Sequence, residues 1–228
     1  MRYWSLVLDM DGVLLNYEGD AFRWKYDAVR EALQEQGADP EGLSRSQLDA
    51  FLGDKGVEAC IEACEQRGID PRTVWELVAD KTSAARRKRI EDGEFSLYPD
   101  ARQAIEKLRS EEVELGLISN APEAAVEVTV DHYGLRDHFK FFRGIVDFDD
   151  LPARKPHPDH LELAKAELKR SPYIYAGDAE SDLIAARDAG MDSVWVQRTS
   201  AKVDVSPDYR IDDMEDIVDI VENGGSPT

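Results

Sequence analysis

The residues best suited to chemistry sit just beyond short apolar runs. Ser5-Leu-Val-Leu8 has the length and composition of a buried strand, and it stops at Asp9-Met10-Asp11-Gly12. Two carboxylates one residue apart at a strand's C-terminal end, followed by glycine, suit a site; the plain alternative in so acidic a chain is an Asp-rich turn. The pattern recurs. The run Leu115–Ile118 ends in Ser119-Asn120, and Tyr173–Ala176 leads into Gly177-Asp178-Ala-Glu-Ser-Asp182. In parallel α/β sheets ligands bind beyond the carboxyl ends of the strands, so these side chains can meet along one edge. Lys155, ahead of a helix, adds the one cation of the set. Carboxylates gathered in one pocket repel unless a cation holds them, and a hard, oxygen-liganded divalent ion, Mg²⁺, is the natural choice. A serine hydroxyl, helix N-terminal amides and a lysine then suit a bound phosphate.

The elements that must position these residues alternate strand and helix from Pro99 onward. Strands are expected at 115–118, 141–146, 173–176, 193–196 and 209–211, with helices at 100–109, 123–133, 159–168, to 189, and 214–222. Alternation of this kind implies an α/β fold with a doubly wound parallel sheet covered on both faces. Residues 17–94 read differently. After a polar loop over 16–20 with a turn at Gly19, apolar spacings of three and four predict helices over 21–36, 44–52, 57–66 and 71–90, with no strand. Pro71 suits the first turn of the last of these. The expected organisation is a catalytic core of residues 1–16 and 95–228 carrying an inserted all-helical domain, residues 17–94. Gly224–Thr228 reads as a frayed tail.

Other residues invite plainer readings. Cys60 and Cys64 share a helix face without further Cys or His to complete a metal shell, so they read as small buried hydrophobes. Arg86-Arg-Lys-Arg89, the one basic cluster, reads as a solvated helix end that complements the helix dipole; the rival reading is a patch that attracts an anionic substrate. Tyr17, Arg23, Trp24 and Lys25 follow the first loop and could face a ligand. His157 and His160 have the spacing of a metal pair, but the prolines around His157 favour surface or loop histidines. Asp147, Asp149 and Asp150 read as a solvated acidic cluster.

Globally, 48 acidic against 28 basic residues give a formal charge of -20 over 228 residues, with only ten lysines. Such a surface repels nucleic acid and anionic membranes. Like charge of this density opposes compaction at ordinary ionic strength but is screened in molar salt, which points to a salt-loving, halophilic cytoplasm. No apolar run approaches the roughly 20 residues of a membrane span. The first strand begins almost at Met1, which leaves no room for a signal peptide, so a cytoplasmic protein, monomer or homodimer, is expected.

Taken together and in order, Asp9-Met-Asp11-Gly-Val, Ser119-Asn120, Lys155-Pro and Gly177-Asp178-x-x-x-Asp182 resemble the motifs of the haloacid dehalogenase-like hydrolase superfamily, over about residues 5 to 215. The resemblance implies a Rossmann-like core with five parallel strands in the order 5-4-1-2-3, and it makes the helical insert a small cap. It further implies that Asp9 is the nucleophile, forming an aspartyl-phosphate, and that Asp11 is the acid/base. Mg²⁺ would be held by the Asp9 side chain, the Asp11 backbone carbonyl and Asp178, with Asp182 behind them. Ser119 and Asn120 would bind the phosphoryl group, and Lys155 would neutralise charge around it. An acid two residues after the nucleophile separates phosphate-ester enzymes from the dehalogenating members of this family. The expected function is therefore hydrolysis of a small phosphorylated metabolite; a phosphomutase and a non-catalytic binding protein are the alternatives. For Asp11 to act as an acid near neutrality its pKa must be raised, and desolvation by the closing cap is the expected cause.

Overall fold

A computed structural model describes residues 2–17, 23–199 and 202–224. The expected turn at Gly19, the start of the first helix and the last four residues lie outside them. The centre of the fold is strand β1 (Ser5–Leu8), every residue of which is buried. Leu6 and Leu8 point into one apolar cluster, with Ile105 and Ile217, while Val7 points into another, with Leu161 and Ala185. A continuous apolar run is thus two alternating faces, each covered by helices. Burying side chains of this size contributes about 1.5–3 kcal/mol each.

Around β1 stand β4 (Glu114–Pro122), β5 (Phe141–Ile145), β6 (Tyr173–Gly177), β7 (Asp192–Val196) and β8 (Tyr209–Ile211), with β2 (Leu15–Tyr17) and β3 (Phe95–Leu97) lying apart. The sheet is six-stranded in the order β5-β4-β1-β6-β7-β8, and every pairing is parallel. The expected 5-4-1-2-3 order is present, with β8 added beyond β7. Helices α5 (Pro99–Ser110), α6 (Glu123–His132), α7 (Asp159–Leu168), α8 (Glu180–Asp188) and α9 (Glu215–Asn223) cover the faces.

Four helices precede them: α1 (Arg23–Glu35), α2 (Arg45–Phe51), α3 (Val57–Glu65) and α4 (Pro71–Glu91). Local sequence sets their starts. Ser44 and Gln47 cap α2 reciprocally, and Asp70 accepts from the Thr73 amide ahead of Pro71 in α4. These helices share a core of Val29, Leu33, Phe51, Val74 and Val78, in which free Cys60 and Cys64 are fully buried as expected. Ile145 at the end of β5, and Phe148 and Leu151 just beyond it, join that core.

The structure also contains elements that the sequence reading left out. Asn16 and Tyr17, read as the start of a loop, belong to the strand Leu15–Tyr17, which pairs antiparallel with Phe95–Leu97 in a two-stranded ribbon. Three residues per strand are too few for an alternation signal. Strand β4 runs four residues past Ile118, with a register shift before Pro122, so Ser119 and Asn120 lie on the strand rather than after it. Among the described residues no helix is long and apolar enough to cross a membrane.

Candidate active site

Continuing the alternation of β1 past Leu8 puts Asp9 on the face of Val7 and returns Met10 to the cluster of Leu6 and Leu8. The Asp9 amide still donates to the Ala176 carbonyl of β6, 2.9 Å away, so the sheet ladder fixes the backbone at this point. Asp9 is 7% exposed and Lys155 5% exposed. The Lys155 ammonium lies 2.6 Å from Asp9 Oδ1, 2.6 Å from Asp182 Oδ1 and 2.6 Å from the Tyr175 hydroxyl, which itself donates to Asp182 at 2.9 Å. Asp182 also accepts from the Ala179 amide at 3.0 Å, so both its oxygens are engaged by the protein. Asn120 clamps the lysine's backbone from both sides: its amide nitrogen donates to the Lys155 carbonyl at 2.8 Å, and its oxygen accepts from the Lys155 amide at 2.9 Å. Ser119, buried beside it, accepts from the Ala121 amide at 3.2 Å.

Carboxylate oxygens of Asp9, Asp178 and Asp182 lie within 4.8 Å of one another. One lysine does not neutralise three carboxylates, and the acidities record the deficit. Burial, Asp182 and, less strongly, Asp11 push Asp178 up to about 7 against the pull of Lys155. Burial and the neighbouring Asp182 and Asp178 likewise push Asp9 up, with Lys155 opposing. Lys155 feels burial in the other direction, but Asp182 and Asp9 outweigh it and keep the ammonium charged. Two glycines make the cluster possible. A β-carbon on Gly12 would sit 2.1 Å from Asp178 Oδ2, at a backbone φ of +82° that disfavours side chains, and one on Gly177 would sit 2.3 Å from Asp182 Cβ. An all-oxygen cluster with excess negative charge fits a hard divalent cation such as Mg²⁺.

Asp11 behaves differently from the expectation. Its carboxylate turns away from the cluster and takes a two-pronged ion pair from Arg86, with Nη1 to Oδ1 at 2.7 Å and Nη2 to Oδ2 at 2.6 Å. Burial pushes the Asp11 carboxyl up, but the charge and hydrogen bonds of Arg86 outweigh it and hold Asp11 below its ordinary value. The expected rise by desolvation is therefore reversed in this arrangement. Arg86 corrects a second expectation. It is 1% exposed, with its guanidinium 5.9 and 5.6 Å from the ring centres of Trp24 and Phe95, which also touch each other edge-on, and it is not part of a solvated helix end. The sequence held a signal for this. Val74, Val78, Thr82, Arg86 and Ile90 continue one row at steps of four, all buried. Lys88 and Arg89 of the same cluster do stand at the helix end, paired with Asp92 and Glu94.

These groups open onto one cavity of about 370 Å³. Asp9, Asp11, Ser119, Asn120, Lys155, Asp178 and Asp182 all line it, so the residues expected to form the site come together. The cavity is also lined by Trp24, Lys25, Leu52, Asp54, Trp75, Val78, Thr82 and Arg86 from the helical block, and by Arg154 from the loop before α7. Trp24 and Lys25 thus face the cavity, whereas Arg23 is exposed and not among its lining residues. Tyr175 and Arg154 were not singled out from the sequence; each stands just ahead of a motif, Tyr175 within the apolar run before Gly177-Asp178 and Arg154 in the loop before Lys155-Pro, and neither position is part of the pattern. Neither histidine of the spaced pair joins the site. His157 is exposed beside Asp159, and His160, expected in a loop or at the surface, is fully buried against Asp150 at 3.1 Å. The acidic trio serves structure away from the cavity: Asp147 caps a short 3-10 turn, Asp149 reaches across to Arg72 of α4, and Asp150 pairs with His160.

Residues 6–196 match the family model described as haloacid dehalogenase-like hydrolase. The phosphoglycolate phosphatase of Cereibacter sphaeroides is 32% identical over 198 residues, with 82% of each chain covered. That of Pseudomonas putida is 30% identical over 193 residues, covering 83% of this chain and 67% of its own. Among solved structures, CbbY from Rhodobacter sphaeroides in complex with phosphate shares the fold, with a TM-score of 0.72 at 19% identity over 94% of this chain and 96% of that one. The chain belongs to the haloacid dehalogenase-like hydrolase family, and within it to the phosphoglycolate phosphatase-like branch.

Proposed function

We propose that the protein is a Mg²⁺-dependent phosphatase that hydrolyses a small phosphorylated organic acid of the phosphoglycolate type, through a phosphoryl group carried transiently on Asp9. The observation that carries this reading is the buried Asp9–Lys155 pair, which opens beside Asp178 and Asp182 onto a cavity also lined by Lys25, Arg86 and Arg154. In the chain's own residues the reaction runs as two displacements. Asp9 attacks phosphorus, forming a new P–O bond to its carboxylate as the P–O bond to the leaving alcohol breaks. Asp11 takes up a proton from solvent ahead of the first displacement and gives it to the departing alkoxide; the carboxylate so regenerated then takes a proton from the water that attacks phosphorus and releases Asp9. Lys155 holds positive charge against Asp9 throughout, Ser119 offers its hydroxyl to a phosphoryl oxygen, and Asn120 fixes the backbone that carries Lys155. Asp9, Asp178 and the backbone of Asp11 would hold the metal, with Asp182 supporting from behind; when bound, Mg²⁺ supplies charge neutralisation to the phosphoryl group.

Residues 17–94 would act as the cap. They supply Trp24, Lys25, Trp75, Val78, Thr82 and Arg86 to the cavity lining, so substrate choice would reside there, with water excluded on closure. Phosphate release from a panel of phosphomonoesters, 2-phosphoglycolate and sugar phosphates among them, tests the reading in molar KCl with Mg²⁺ or a chelator. Magnesium-dependent turnover of 2-phosphoglycolate, absent in Asp9→Asn, is expected. Conversion of a sugar 1-phosphate to its isomer without phosphate release would favour a mutase, and folded protein silent toward every ester would contradict the proposal.

A further inference from the structure

Arg86 occupies a position that the two-displacement mechanism cannot leave as it is. Both prongs of its guanidinium are spent on Asp11, the residue that must deliver a proton to the leaving alcohol. The buried Arg86 Nε has no hydrogen-bond partner. The Arg86 side chain is 1% exposed and its guanidinium packs beside the touching rings of Trp24 and Phe95, so it has no open path to solvent when Asp11 is called on. A buried guanidinium stripped of its carboxylate carries an uncompensated charge and is strongly disfavoured. Asp11 can therefore work only if another anion takes its place on Arg86, and that anion must arrive with the substrate. The reacting phosphoryl group is claimed by Lys155 and Ser119. With the phosphoryl group so placed, the leaving-alcohol portion is left to the rest of the cavity lining, which includes Arg86, Lys25 and Arg154.

We propose that Arg86 is a specificity-determining latch: it exchanges Asp11 for an anionic group on the leaving-alcohol part of the substrate, so that only an ester with a second anion frees the acid/base. Arg86 acts through Asp11 and is a positioning residue until the exchange, when it binds substrate directly. A forked guanidinium matches a carboxylate in two parallel hydrogen bonds, as it already does with Asp11, which makes a carboxylate tail the fitting occupant. The cavity then selects twice, once for the phosphate and once for the group that unlocks the acid. The inference rests on the phosphatase reading, because it assigns Asp11 the acid/base role.

The test compares two near-isosteric esters, 2-phosphoglycolate and 2-hydroxyethyl phosphate, on wild type, Arg86→Met and Arg86→Lys. Met retains packing against Trp24 and Phe95 without charge. Wild type is expected to prefer phosphoglycolate, mostly through kcat. In Arg86→Met, kcat/KM for phosphoglycolate falls by about 30-fold or more, the usual consequence of removing one partner of a buried charge pair. For the hydroxyethyl ester kcat/KM rises severalfold, because Asp11 no longer has to be released. Lysine restores part of the preference. An equal fall on both esters overturns the proposal, since it would mean that Arg86 grips the reacting phosphoryl group or only holds the fold. Calorimetric titration with two non-hydrolysable phosphonates, 3-phosphonopropionate and ethylphosphonate, judges the exchange without turnover. Tighter wild-type binding of the carboxylated compound, with the difference lost in Arg86→Met, supports it; equal binding by wild type overturns it. If neither ester is hydrolysed, the phosphatase reading fails, and the phosphonate comparison still decides whether Arg86 takes an anion.

Discussion

Replacing Asp178 with asparagine should stabilise the metal-free protein, although it removes a residue of the proposed metal site. Asp178 sits with its carboxyl pushed from its ordinary 3.8 to about 7, chiefly by burial and by Asp182. Between those values the unfolded chain has released the proton while the folded protein still holds it. Folding therefore loses stability as pH rises from about 4 to about 7, and the full penalty persists above that. At about 1.4 kcal/mol per pH unit, the displacement corresponds to about 4 kcal/mol. Partial exposure of Asp178 and its sharing of charge with Asp9 and Asp182 reduce what one substitution recovers, to about 2–4 kcal/mol. For a chain of this size that is a rise in melting temperature of about 5–15 °C. The assay is thermal unfolding in a chelator at pH 4.5 to 8. Wild type should melt lower as pH climbs through this window, and Asp178→Asn should show a flatter profile and melt higher at pH 7.5. Added Mg²⁺ should raise the wild-type midpoint at pH 7.5 and leave the variant nearly unmoved. A variant that melts at or below wild type in chelator at pH 7.5 refutes the charge-excess argument.

Three further outcomes follow from the same geometry. Lys155→Met removes the cation shared by Asp9 and Asp182, so metal-free protein should lose about 3–5 kcal/mol in urea unfolding at pH 7.5; a loss below about 1 kcal/mol contradicts the shared-cation assignment. Gly12→Ala places a β-carbon 2.1 Å from Asp178 Oδ2, and stabilisation by Mg²⁺ should disappear; retained stabilisation would mean that Asp178 is not a ligand. With a formal charge of -20 and a Debye length that shrinks from about 10 Å at 0.1 M to about 3 Å at 1 M salt, the melting temperature should climb steadily in KCl. A flat response between 0.1 and 2 M would remove the salt-loving reading.

What the sequence made legible divides along physical lines. Helices α1 to α4 and the strands flanking the site were readable because their apolar periods run for a turn or more, or end in an abrupt polar switch, as at Leu8-Asp9 and Gly177-Asp178. The ribbon of Leu15–Tyr17 with Phe95–Leu97 was not, because three-residue strands carry no period and their pairing spans most of the helical block. The site residues were readable as a set, since each marks a strand end, but their electrostatics were not. Asp11 was expected to be raised by burial, and it is held down because Arg86, 75 residues away in sequence, lies against it. An arginine inside a basic cluster looks solvated by composition; only the step-of-four row through Val78 and Thr82 reveals that it faces inward. Tyr175 is similar. Its ring is one more buried residue of β6, and only the fold brings its hydroxyl to Lys155.

The most direct test of the account is the stereochemical course at phosphorus, measured with a phosphomonoester made chiral by oxygen isotopes and sulfur, hydrolysed by wild-type protein in the presence of Mg²⁺. Two in-line displacements, first by Asp9 and then by water, each invert the centre, so net retention is predicted. Net inversion would mean that water attacks the substrate directly and that Asp9 is not the nucleophile.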